Sequence, residues 1–133
     1  MMREFMPDYR NIVLAATNRA APRLPLYEHI IAPVKMEEIT GRKFVDLLKG
    51  GEADQREYFH QYCGFFREMG YDTVSFECCV CDVIAGGETM AGSRPGAITN
   101  REDFERYPFA ELPARYWAMH EAKFRILGEE LPP

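Results

Sequence analysis

Across residues 53–69 apolar side chains return at helical spacing, with Phe59, Tyr62, Cys63, Phe66 and Met69 on one face and Gly70 as the stop. A face this aromatic must be buried, so the rest of the chain has to fold against it. The next stretch, "YDTVSFECC", is short and rich in Val, Thr, Tyr and Phe, which predicts a buried strand. Helix, glycine and strand in that order set an α/β expectation.

The flanking segments extend that pattern. Pro7 and Asp8 open a helix through Tyr9, Ile12, Val13 and Ala16 that stops near Asn18 and cannot run through Pro22. "RLPLYEHII" then reads as a first strand, anchored at its start by Arg23 and carrying Glu28 and His29 at its far end. Pro33 starts a short helix ended by Gly41, and residues 44–48 form another helical piece before Gly50 and Gly51. Residues 85–96, with four glycines and a proline, predict a loop or irregular hairpin. Asn100 with Asp103 caps a short helix ending at Tyr107 and Pro108. Pro113 begins a last helix with Tyr116, Trp117, His120, Phe124 and Leu127 on one face, closed by Gly128.

This order predicts two parallel strands joined by a right-handed crossover. Two strands are too few for a parallel sheet, which needs neighbours and helices on both faces. The chain is therefore expected to be an N-terminal piece of a larger α/β protein, or to complete its sheet by self-association through unpaired strand edges.

Composition limits the partners. The 133 residues are 47% hydrophobic and 13% aromatic, which supports one globular domain. Sixteen basic against twenty-one acidic residues give a formal charge of -5 with no basic stripe, which argues against nucleic acid and anionic membranes and leaves small molecules or proteins. The apolar run at residues 12–16 is far short of a membrane span, and the first ten residues do not resemble a signal peptide. A cytoplasmic protein with free thiols is expected.

Three of the four cysteines fall in "SFECCVCD". Cys78 and Cys81 form a CxxC and His60 with Cys63 an HxxC, so tetrahedral zinc is conceivable, but strand alternation would send 78 and 81 to opposite faces. The plainer reading is that the cysteines are small apolar side chains, and no metal site is assigned. A thioredoxin-like pair is a weaker alternative, since the glycine-rich stretch follows where a helix should open. Ser75, Glu77 and Cys79 share one face under alternation, and Asp82 follows, so Glu77 and Asp82 are candidate acids or bases with His29. Glu28, Cys79 and Arg94 are candidate substrate contacts, while His120, on the core-facing stripe of the last helix, reads as structural.

Three collinear segments carry a family resemblance. "RNIVLAATNRAAPRLPL", "FFREMGYDTVSF" and "ITNREDFERYPFAEL" resemble the entrance, the second helix and strand, and a later helical segment of the uroporphyrinogen decarboxylase superfamily. The superfamily includes corrinoid-dependent methyltransferases acting on thiols such as coenzyme M. The resemblance implies a (β/α)8 barrel of about 250 residues, of which this chain would be the N-terminal part, with its site at the C-terminal strand ends near Glu28, His29 and residues 77–82. Where decarboxylases carry an "RQAGR" motif this chain reads "HIIAP", and Cys79 stands where their "FSD" aspartate falls. The segment "FECCVCDV" is more similar to the methyltransferase branch. In the full-length family a corrinoid and zinc are implied cofactors, but the "HxC" zinc motif is not found in this sequence. The expectation is a methyltransferase-type segment incomplete for catalysis alone. The alternative is a small self-associating binding or zinc module.

Overall fold

A computed structural model describes residues 5–84 and 96–131. In chain order the elements are α1 (Arg10–Ala16), α2 (Pro33–Thr40), a 3-10 turn (Val45–Lys49), α3 (Glu52–Glu68), a second 3-10 turn (Val80–Val83), α4 (Arg101–Arg106) and α5 (Leu112–Glu130). The chain forms two compact units, Met1–Phe76 with Ile126–Pro133, and Glu77–Arg125.

The first unit is built on α3. Tyr58, Phe59, Tyr62, Phe65 and Phe66 are buried together with Met36, Phe44 and Ile126. Phe76 meets Phe59 edge-on at 5.0 Å and Tyr62 at 5.9 Å, the arrangement aromatic quadrupoles favour. The Asp54 carboxylate accepts the Gly51 amide at 3.1 Å, which fixes the start of the helix. Its end turns at Gly70, whose φ of 81° needs a residue without a Cβ, and the Tyr71 amide reaches back to the Phe66 carbonyl at 2.9 Å. The Tyr71 ring then packs on Phe66 at 5.3 Å. Met69, expected on the buried face, is 39% exposed because it lies in this terminal turn.

α1 ends by the same device. Asn18 takes the left-handed conformation at φ 55°, and the Arg19 amide donates to the Leu14 carbonyl at 2.8 Å. α2 begins at Pro33 and stops at Gly41, φ 71°, as its sequence predicts. Within α2, Glu37 accepts the Phe44 and Val45 amides at 2.7 and 3.0 Å and the Lys43 ammonium at 2.9 Å, which pins the following 3-10 turn. The Val45 amide, the Lys43 ammonium and the Phe44 amide pull its carboxyl down from 4.5 to about 2. A depressed carboxyl contributes stability above its unfolded pKa and loses it as pH falls through the folded one. Glu37→Gln is therefore expected to flatten the acid limb between about 4.5 and 2 in a pH series of denaturation curves. An unchanged slope there would contradict this role.

The α/β expectation is overturned: the fold is helical, and among the described residues there is no strand, hence no parallel sheet and no portion of a barrel. The two segments expected to pair have no regular secondary structure and are not joined by a ladder. Tyr62 Oη donates to the Ser75 carbonyl at 2.5 Å, and Ser75 Oγ donates to the Glu28 carbonyl at 2.6 Å. Side chains thus occupy carbonyls that a ladder would use, and Pro25 has no amide to offer. The β-branched and aromatic signal at residues 71–76 reports burial against α3 rather than pairing. Among the described residues there is therefore no strand edge. The last helix also differs from expectation, running through Gly128 to Glu130. The 85–96 loop expectation falls almost wholly outside the described residues.

Candidate functional site

In the second unit the 3-10 turn Val80–Val83 is capped by Cys79, whose Sγ accepts the Cys81 amide at 3.3 Å while its carbonyl accepts the Asp82 amide at 3.2 Å. The cap holds Cys79, Cys81 and Asp82 in one tight turn. From α5, Tyr116 Oη donates to the Cys78 carbonyl at 3.0 Å. His120 follows one helical turn later, its ring 4.7 Å from that of Tyr116. Lys123 Nζ lies 3.4 Å from His120 Nδ1. An ammonium only donates, so Nδ1 is the acceptor and the imidazole proton sits on Nε2. That Nε2 is buried with no partner among the described residues. Buried donors are nearly always satisfied, so this one marks a place where an acceptor is wanted.

The electrostatics agree with one cluster. Burial, then the Lys123 charge, lowers the His120 pKa, with Asp82 opposing, so the ring is neutral near pH 7. Burial raises the Cys78 thiol, and the Lys123 charge opposes that rise. A hydrogen bond from the Cys81 side chain raises the Cys79 thiol. Burial raises the Tyr116 phenol, helped by Cys78, Cys79 and Asp82. At rest Cys78 and Cys79 are therefore protonated thiols, with a neutral His120 imidazole and the Tyr116 phenol on α5.

The sequence-derived candidates fall in both units. Cys79 and Asp82 belong to this turn, and Glu77 is exposed two residues before Cys79. Glu28 and His29 are exposed in the first unit. Arg94 lies outside the described residues. Tyr116, His120 and Lys123 were not expected at a site. Their spacing of four and three along one helix face was the available signal, and an aromatic stripe masked it.

Arg23 has an anchoring role, but not at a strand. Its guanidinium pairs with Asp72 and donates to the Met6 carbonyl at 2.8 Å. The Asp8 amide and Asn11 Nδ2 also donate to Asp72, at 2.8 and 3.2 Å. Burial opposes the Asp72 charge, but the Asp8 amide, Arg23 and Asn11 outweigh it and hold its carboxyl below the ordinary range. This is a structural hub closing α1 onto the segment after α3.

Zinc does not fit the cysteines. All four are free thiols, and among the described residues no group of three or more His, Cys, Asp and Glu side chains is disposed to hold a metal. Cys63 is pushed up to about 12 by burial and then by Glu130, so it stays protonated, and His60 is taken up by Glu130 at 3.2 Å. Among the described residues no helix is long and apolar enough to cross a membrane. No family model, curated protein or solved structure matches the chain.

Proposed function

We propose that the chain is a segment of a methyltransferase-type enzyme of the uroporphyrinogen decarboxylase kind, and that its second unit holds the methyl-accepting thiol, a small molecule with an anionic tail. The observation that carries this reading is the buried, unpartnered Nε2–H of His120 beside the Cys79–Asp82 turn. A thiol accepts a methyl group as its thiolate, so a site for it needs a donor to the developing sulfur anion and a group to receive the proton. His120 supplies the donor, Lys123 fixes its tautomer and adds positive charge, and Asp82 is the exposed carboxylate through which the proton leaves. The collinear sequence segments support the family, and Cys79 at the decarboxylase aspartate position favours the methyl-transfer branch.

Two cavities in the first unit, of about 360 and 250 Å³, lie at or below the small end of ligand pockets and are too small for a corrin ring. On this reading the methyl donor is not seated in either cavity, and the chain is incomplete for catalysis alone. Binding rather than turnover is the test. Ring signals of His120 and Tyr116 are expected to move saturably with coenzyme M, less with its S-methylated form, and not with uroporphyrin. Equal response to the thiol and thioether removes the thiolate role, and a response to uroporphyrin alone favours the decarboxylase branch.

Self-association is a second reading, favoured by Leu24, Leu26, Tyr27 and Ile30, which are 86, 46, 61 and 60% exposed within one short segment. A sedimentation coefficient independent of protein concentration, at the monomer value, would contradict it.

A further inference from the structure

We propose that the first unit carries a separate site for an apolar α-amino acid, in the cavity beside the C-terminal half of α3. This inference is independent of the thiol site.

The cavity has about 360 Å³ of space and apolar walls that include Phe66, Tyr71, Val74 and Leu131. Gly64 keeps it open: a Cβ there would meet nothing within 4 Å, so a larger residue would grow into free space. Two opposite charges share the lining. Arg67 has no carboxylate partner among the described residues, whereas Arg56 on the same helix is paired with both Glu52 and Glu129. Glu130 is steadied at the other side by His60 at 3.2 Å. Both charges bear on the Cys63 thiol in the same lining, Glu130 raising and Arg67 lowering its pKa. The remaining acid, Asp72, already takes the Asp8 amide, Asn11 and Arg23.

A simple carboxylate would satisfy Arg67 but bring a second anion towards Glu130. An amine would do the reverse. A zwitterion matches both charges, its carboxylate accepting from the Arg67 fork and its ammonium donating to Glu130, while the side chain fills the apolar part. The small volume selects one amino acid rather than a peptide.

L-phenylalanine, phenylacetate and 2-phenylethylamine separate these cases when titrated against methyl signals of Val74 and Leu131. Saturable shifts are expected with L-phenylalanine, and binding weaker by about tenfold or more with each single-charge analogue, as loss of a charge-assisted bond implies. Arg67→Ala, an exposed position without an ion-pair partner among the described residues, should weaken L-phenylalanine by a similar factor with unchanged helicity. Gly64→Leu should abolish binding by filling the cavity, and a cooperative melt would show that the fold survives. Phenylacetate binding as tightly as L-phenylalanine, unaltered affinity in Arg67→Ala, or no saturable shift with L-phenylalanine would overturn the proposal.

Discussion

Asp72→Ala is expected to lower stability by about 3 kcal/mol or more, read as a fall in the denaturant midpoint by far-ultraviolet circular dichroism. The Asp72 carboxylate has no exposed surface and gathers the Asp8 amide, Asn11 Nδ2 and the Arg23 guanidinium. Its removal strands those donors, one of them charged, and detaches α1 from the segment following α3. Removing one partner of a buried pair costs more than the pair contributes, because the survivor keeps its desolvation penalty. Arg23→Ala should cost less, since that side chain is 40% exposed and water can replace it at Met6. A loss below about 1 kcal/mol in Asp72→Ala would mean that the hub is an exposed ion pair in solution.

Phe59→Ala is expected to cost about 3–5 kcal/mol, the range for deleting a fully buried aromatic side chain. Phe59 has no exposed surface, and its ring meets Tyr58 at 5.1 Å and Phe76 at 5.0 Å, both edge-on. The cavity left cannot collapse easily, because rigid aromatic rings form its walls. Phe59→Leu should recover more than half of the loss in the same assay, since most of the volume returns. If alanine and leucine were equivalent, the α3 face would not be packed as described.

What was legible in the sequence was local. Gly41, Gly70 and Asn18 stop helices because each stop needs a left-handed residue at one position, and all three take positive φ. Asn100 and Asp103 announce α4 for a similar reason: Asn100 Oδ1 accepts the Asp103 amide at 2.9 Å, and the Asp103 carboxylate accepts the Thr99 amide at 3.1 Å. The lack of strands among the described residues was not legible, because a strand is defined by a partner distant in sequence, and Val74 and Phe76 found an aromatic helix face instead of a ladder. The site was half legible. Cys79 and Asp82 stand out as a thiol and an acid in one turn, but their value depended on α5, far along the chain. There Tyr116 and His120 read as core, and His120 is indeed buried, but core position and chemistry coincide in one residue.

The direct measurement is the dissociation constant of coenzyme M for the protein and for Lys123→Ala at fixed ionic strength, with the His120 ring signals followed throughout. Saturable binding that moves the His120 signals is expected, weakened by about tenfold or more in the variant, as when a charge-assisted contact is lost. Absence of binding, or equal affinity in both proteins with stationary His120 signals, would contradict it.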